Sequence, residues 1–136
     1  MVPISVVYQG QLRCQATHDN SGIQFITDAP KDNQGRGESF SPTDLVATAL
    51  GSCIITTMGI RARNDNVSLD GTTIAVEKHM STDSPRRIAK IVVHLVMCQG
   101  ISKEYRRIIE QIGHACPVAR SLHPDVALEI QFRYPD

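Results

Sequence analysis

Between Ile4 and Thr27 apolar and polar residues alternate in short runs, interrupted at Tyr8-Gln9-Gly10-Gln11 and at His18-Asp19-Asn20-Ser21-Gly22. A period of two gives a strand one apolar face, and Gly and Asn accept the backbone angles of tight turns. The segment therefore predicts a three-stranded antiparallel meander. The stretch from Ala29 to Phe40 collects Pro30, Asp32, Asn33, Gly35 and Gly37 and reads as a loop. At Ser41 the period changes. Ser41-Pro42-Thr43-Asp44 offers a capping hydroxyl, proline at the first helical position and a first-turn carboxylate, which predicts a helix from there to about Arg63. Leu45, Val46, Ala49, Leu50, Cys53, Ile54, Thr57, Met58 and Ile60 fall at helical spacing, and no charge occurs from Ala47 to Thr57. Such a helix is expected to be largely buried, between a sheet and a partner.

The alternation returns in Val67 to Met80 and in Arg86 to Met97, two predicted strands joined by Ser81-Thr82-Asp83-Ser84-Pro85 as a hairpin. Ser102 to His114 predicts a second helix with Tyr105, Ile108, Ile109 and Ile112 on one face, and Val126 to Phe132 a closing strand. Strands, helix, hairpin, helices and strand make an α+β order, without the regular alternation of a doubly wound parallel sheet.

Composition narrows this picture. With 136 residues, 41% of them hydrophobic, the chain suits one domain spanning 1–136. Lys plus Arg and Asp plus Glu number 14 each, so charge steers it toward neither nucleic acid nor an anionic membrane. The N-terminus has no cationic segment leading into an apolar stretch. No apolar run is read as approaching the ~20 residues of a bilayer span, and a cytoplasmic location is expected.

Four cysteines, Cys14, Cys53, Cys98 and Cys116, are the candidate chemistry. No C-x-x-C or close Cys-His spacing occurs, so no metal site is expected, and the absence of G-x-S-x-G, Walker and G-x-G-x-x-G motifs removes support for serine-hydrolase and nucleotide-binding readings. Cys53 lies mid-helix, too far from the helix start for the macrodipole to activate it, and buried packing is its plainest reading. Cys116 precedes Pro117 and is placed to cap a short helix from Pro117 to Leu122, with His114, Arg120 and His123 near it in sequence. On these local grounds Cys116 is the more reactive thiol. Cys14 and Cys98, in strand-like segments, read as structural.

Phe40-Ser41-Pro42-Thr43-Asp44-Leu45, then Ala47-Thr48-Ala49-Leu50-Gly51-Ser52-Cys53, then Ala115-Cys116-Pro117-Val118 and a final strand together resemble the OsmC/Ohr family of osmotically inducible and organic hydroperoxide resistance proteins. The resemblance covers nearly the whole chain and implies an intertwined homodimer, with sheets wrapped around long central helices and active sites at the subunit interface. It also implies thiol-dependent reduction of organic hydroperoxides without a cofactor, Cys53 being the attacking thiol and Cys116 the resolving one, with a dithiol such as a lipoylated protein as reductant.

An arginine of the N-terminal strands would activate Cys53, and Arg13 is in that region, with Arg36, Arg86 and Arg87 as substitutes. A carboxylate near the helix start would orient it; the family's glutamate position is Thr43 here, so that carboxylate is either displaced by one residue, to Asp44, or missing. An apolar pocket of Leu45, Ala49, Ile54 and partner residues would favour organic peroxides. Two other readings stay open from the sequence: a non-catalytic dimeric protein binding a small molecule on the same fold, and cysteines that serve packing alone.

Overall fold

The computed structural model describes residues 1–135. Its elements are β1 (Ile4–Gly10), β2 (Arg13–His18), β3 (Ile23–Asp28), α1 (Pro42–Asn64), β4 (Thr73–Met80), β5 (Ile88–Val96), α2 (Lys103–His114), α3 (Pro117–Ser121) and β6 (Ala127–Arg133), with a single 3-10 turn at Lys31–Asn33. The α+β order agrees with the sequence pattern. The chain forms two compact units, the first running to Val46 and the second beginning at Ala47.

In the first unit β1, β2 and β3 make the expected antiparallel meander, in that order. The β1–β2 connection is unusually tight: Gly10, Gln11 and Leu12 all have positive φ, at 84°, 53° and 62°. The Tyr8 hydroxyl helps hold it by accepting the Leu12 N–H at 3.3 Å. Pairing of Tyr8 with Cys14 and of Cys14 with Thr27 sets the side-chain alternation. One sheet face thus carries Ile4, Val6, Tyr8, Ile23 and Phe25, every one of them exposed.

The second unit holds the core. β4 and β5 pair antiparallel, and β6 runs parallel to β5, because α2 and α3 carry the chain back across the sheet between them. Leu50, Ile54 and Met58, spaced four apart on α1, and Ile91 and Val93 on β5 are wholly buried in one cluster. Each such side chain removed from water contributes about 1.5–3 kcal/mol. Small residues let the layers meet. A Cβ at Gly51 would stand 2.6 Å from Val76 Cγ2 of β4, and one at Gly113 of α2 2.9 Å from Met58 Sδ.

Several expectations need correction. Strand β4 starts at Thr73 rather than Val67, because the chain first leaves α1 through Asn66 (φ 57°) and turns again at Gly71 (φ 87°). Within a single chain α1 buries one row, Ala47, Leu50, Gly51, Ile54, Met58 and Ala62, while Thr48, Ser52, Thr56 and Ile60 face outward. α1, 23 residues long with an 18-residue window of mean hydropathy 1.5, is also long and apolar enough to cross a membrane by length and composition. Threonine, serine and glycine break its apolar run in sequence without lowering the average below that mark. On α2, Ile109 is buried but Ile108 is exposed, the inward stripe being narrower than its spacing suggests.

Candidate active site: a buried and a half-buried thiol

Cys53 sits on α1 next to the inward row and is half-buried. One turn on, Thr57 donates its hydroxyl proton to the Cys53 carbonyl at 2.7 Å, and its oxygen lies 3.8 Å from the Cys53 sulfur. With that proton committed to the carbonyl, Thr57 can accept from the thiol and does not donate to it.

Cys116 is placed by α2 and the turn that follows it. Ser102 caps α2 by accepting the Tyr105 N–H, and at the other end of α2 Gly113 packs into the notch beside Ile54 and Met58. The chain then turns through Ala115, and Cys116 caps α3 as expected. Its extended backbone (φ −63°, ψ 152°) leads into Pro117, and its sulfur accepts the Ala119 N–H at 3.4 Å. Cys116 lies in the core cluster against which Cys53 packs, Cys53 is a close enough neighbour to act on the ionisation of Cys116, and both thiols are free. The structure thus brings together two cysteines that lie 63 residues apart in sequence.

The helix start does not lower the Cys116 pKa, contrary to the local expectation. That pKa is raised, first by burial, which disfavours the thiolate, and further by the Cys53 neighbour; the amides of Ala119 and Val118 pull the other way and lose. Sequence reasoning weighed the helix start and missed the burial, for the residue has no exposed surface. His114, Arg120 and His123, the cations expected to help, are all exposed.

Arg13 and Asp44 are both in the first unit. Arg13 grips Asp28 with two bonds, Nε to Oδ1 at 2.7 Å and Nη2 to Oδ2 at 2.8 Å, and its Nη2 lies 3.8 Å from Glu38. Asp28 is 1% exposed and takes a further hydrogen bond from the Glu38 N–H at 3.1 Å. The Arg13 bond holds the Asp28 carboxyl below the ordinary aspartate range, and the same bond raises the guanidinium. Asp44 instead completes a capping box: its Oδ2 accepts the Ser41 N–H at 2.8 Å while Ser41 Oγ accepts the Asp44 N–H at 3.1 Å.

The carboxylate bonded to Arg13 is therefore Asp28, which the sequence reading did not single out. A signal existed, since His18 pairs with Ile23 across the β2–β3 turn, and counting outward equally along both strands brings Arg13 opposite Asp28.

The other candidates have partners elsewhere. Arg36 bonds the Gln11 side chain, and Arg87 pairs with Asp83 at the hairpin tip at 2.9 Å. Arg86, at the same tip, is exposed. Cys14 is half-buried on β2; Cys98 lies just past β5 and donates to the Ser68 carbonyl at 3.5 Å. Ile54, expected in a substrate pocket, is wholly inside the core, while Leu45 and Ala49 are half-buried. Among the described residues no cluster of three or more metal-ligating side chains occurs.

The model of the OsmC-like protein family matches residues 35–131, which include both cysteines. No curated protein sequence matches the chain. Among solved structures, a Psychrobacter arcticus 273-4 protein, provisionally described as an osmotic stress induced and detoxification response protein, is 42% identical over 98% of this chain and 96% of its own, with a TM-score of 0.92. The Legionella pneumophila organic hydroperoxide resistance protein OsmC superposes with a TM-score of 0.78 at 13% identity, over 98% of this chain and 96% of that one. The organic hydroperoxide resistance protein OhrB of Bacillus subtilis superposes at 0.70 and 15% identity, over 98% of both chains. These two likenesses are of fold. With a family match over most of its length and a 42% identical relative spanning nearly all of it, the chain belongs to the OsmC-like protein family.

Proposed function

We propose that the protein is a thiol peroxidase that reduces organic hydroperoxides to alcohols. The observation that carries this reading is that folding sets two free thiols as neighbours in one core cluster, Cys116 within it and Cys53 packed against it. The names of the Legionella and Bacillus neighbours, both organic hydroperoxide resistance proteins, favour the same chemistry.

The division of labour follows from access. Cys53, half-buried, is the thiol a peroxide can meet, while Cys116 has no exposed surface and stays protonated to higher pH than an ordinary cysteine. The Cys53 thiolate attacks the terminal peroxide oxygen, the O–O bond breaks, the alcohol leaves with a proton, and Cys53 becomes a sulfenic acid. Cys116 then attacks the Cys53 sulfur and expels water, and a dithiol such as a lipoyl group on a partner protein reduces the disulfide. In this reading Arg13 has the activating role that the resemblance implies, and Asp28, rather than Asp44, aligns its fork. The reading of a non-catalytic binding protein drew on the missing glutamate; a carboxylate bonded to Arg13 weakens that ground.

A homodimer and a cytoplasmic location are part of the same proposal. The bare apolar face of β1, β2 and β3, with Val6 61% and Tyr8 63% exposed, and the outward residues of α1 are suited to burial against a second copy.

Steady-state turnover tests the enzyme reading. With dihydrolipoamide as reductant, the wild-type chain should consume cumene hydroperoxide, and Cys53→Ser should lose at least about 1,000-fold in kcat/KM, as removal of a nucleophile does. Equal rates for wild type and Cys53→Ser would refute it.

A further inference from the structure

We infer that, once the Cys53–Cys116 disulfide has formed, the reducing thiol attacks the Cys53 sulfur and expels Cys116. The mixed disulfide with the reductant is then carried on Cys53, and Cys116 stays inside the protein throughout the cycle. The inference rests on the peroxidase reading for the presence of this disulfide in the cycle.

A disulfide offers two sulfurs, and exchange proceeds by displacement, the attacking thiolate approaching along the S–S axis from the side opposite the leaving sulfur. For attack on Cys116 that approach comes from behind Cys116. Cys116 itself has no exposed surface and belongs to the core cluster, with Val118, Ala119 and Leu122 packed against the same cluster. The Ala119 N–H sits on the Cys116 sulfur at 3.4 Å. A nucleophile would have to displace the first turn of α3. For attack on Cys53 the approach comes from the side away from Cys116, and Cys53 keeps exposed surface where Cys116 has none.

Leaving-group chemistry opposes this choice. Burial raises the Cys116 pKa, and a more basic thiolate leaves more slowly. Access still decides, because a raised leaving-group pKa slows displacement, whereas a sulfur without exposed surface receives no displacement unless the structure opens. The amides of Ala119 and Val118 ease the departure, since both favour the Cys116 thiolate.

The electron balance closes in two steps. One thiolate of the reductant forms a bond to Cys53 Sγ as the S–S bond breaks, and the Cys116 thiolate takes a proton. The reductant's second thiolate then attacks its own sulfur in the mixed disulfide and releases the Cys53 thiolate. The dithiol loses two electrons and the protein disulfide gains them. Hydroperoxide and reductant then meet the same sulfur, so each should inhibit competitively against the other at high concentration.

The test starts from the wild-type chain oxidised with diamide, which makes the disulfide without any peroxide. Brief exposure to 2-mercaptoethanol, a quench with excess N-ethylmaleimide and peptide mass mapping then locate the adduct. The mercaptoethanol adduct should lie on Cys53, with N-ethylmaleimide on Cys116, in at least about tenfold excess over the reverse labelling. An adduct mainly on Cys116, an even split, or no Cys53–Cys116 disulfide after diamide would overturn the inference. Failure of the peroxidase reading would show separately, as thiols that survive cumene hydroperoxide.

Discussion

The two sheets of this chain differ in how much of their apolar surface they bury. On the sheet of β4, β5 and β6, α1 lies so close that Gly51 has no room for a Cβ, and Ile91 and Val93 are wholly inside. On the sheet of β1, β2 and β3, Ile4, Val6, Tyr8, Ile23 and Phe25 lie in the open, between 47% and 67% exposed. The first sheet is a finished core and the second is a surface in want of one. The chemistry divides along the same line: the finished core holds Cys116 and adjoins Cys53, whereas the open sheet carries the Arg13–Asp28 ion pair.

Core truncation sharpens the contrast most. Ile91→Ala should cost about 2–5 kcal/mol in urea unfolding, because the cavity it leaves is enclosed. Val6→Ala should stay within about 0.5 kcal/mol in the unfolding of a separated chain, yet weaken self-association in sedimentation experiments. Equal costs for the two would erase the distinction between the sheets.

Next in size is overpacking. Gly113→Ala places a methyl group 2.9 Å from Met58 Sδ beside the thiol pair and should cost about 1–3 kcal/mol in the same melts. A neutral result would mean that α2 stands farther from α1 than described.

The ion pair gives a smaller effect that depends on pH. The folded Asp28 carboxyl titrates below its unfolded value, so its contribution to stability is fully present above the ordinary aspartate pKa and fades as pH falls through the lowered one. Asp28→Asn should flatten that part of the acid-unfolding profile, read by circular dichroism. A profile parallel to wild type would show that the pair does not form in solution.

The smallest effect is on labelling rate. In Cys53→Ser, Cys116 should alkylate with iodoacetamide more slowly than an unfolded cysteine and gain speed only at pH above the usual thiol range, since burial, the largest cause of its raised pKa, persists. Labelling as fast as a free cysteine at neutral pH would contradict its burial.

Much of this was legible in the sequence where a local rule decides. Ser41-Pro42-Thr43-Asp44 marked the start of α1 because a capping box is written in adjacent residues, and Cys116-Pro117 marked the start of α3 for the same reason. Pairing across distance was less legible. The Arg13–Asp28 bond depends on strand register, and the parallel seat of β6 on β5 depends on the path taken by α2 and α3. The direction of the Cys116 pKa was misread from local cues because burial, which neighbouring residues in sequence do not report, outweighs a single turn of helix. The apolar residues of α1 cover a wider arc than its own sheet buries, so a single chain leaves its outer face open.

The central claim is that Cys53 and Cys116 act as one redox unit, and the most direct test is stoichiometric. Fully reduced protein is given one equivalent of cumene hydroperoxide, the remaining thiols are counted, and any new disulfide is mapped by peptide mass, with Cys116→Ser alongside. The account predicts the rapid loss of two thiols per chain as a Cys53–Cys116 disulfide, and in Cys116→Ser an oxidised Cys53 that goes no further. Four thiols still reduced, or a disulfide that includes Cys14 or Cys98 instead, would contradict it.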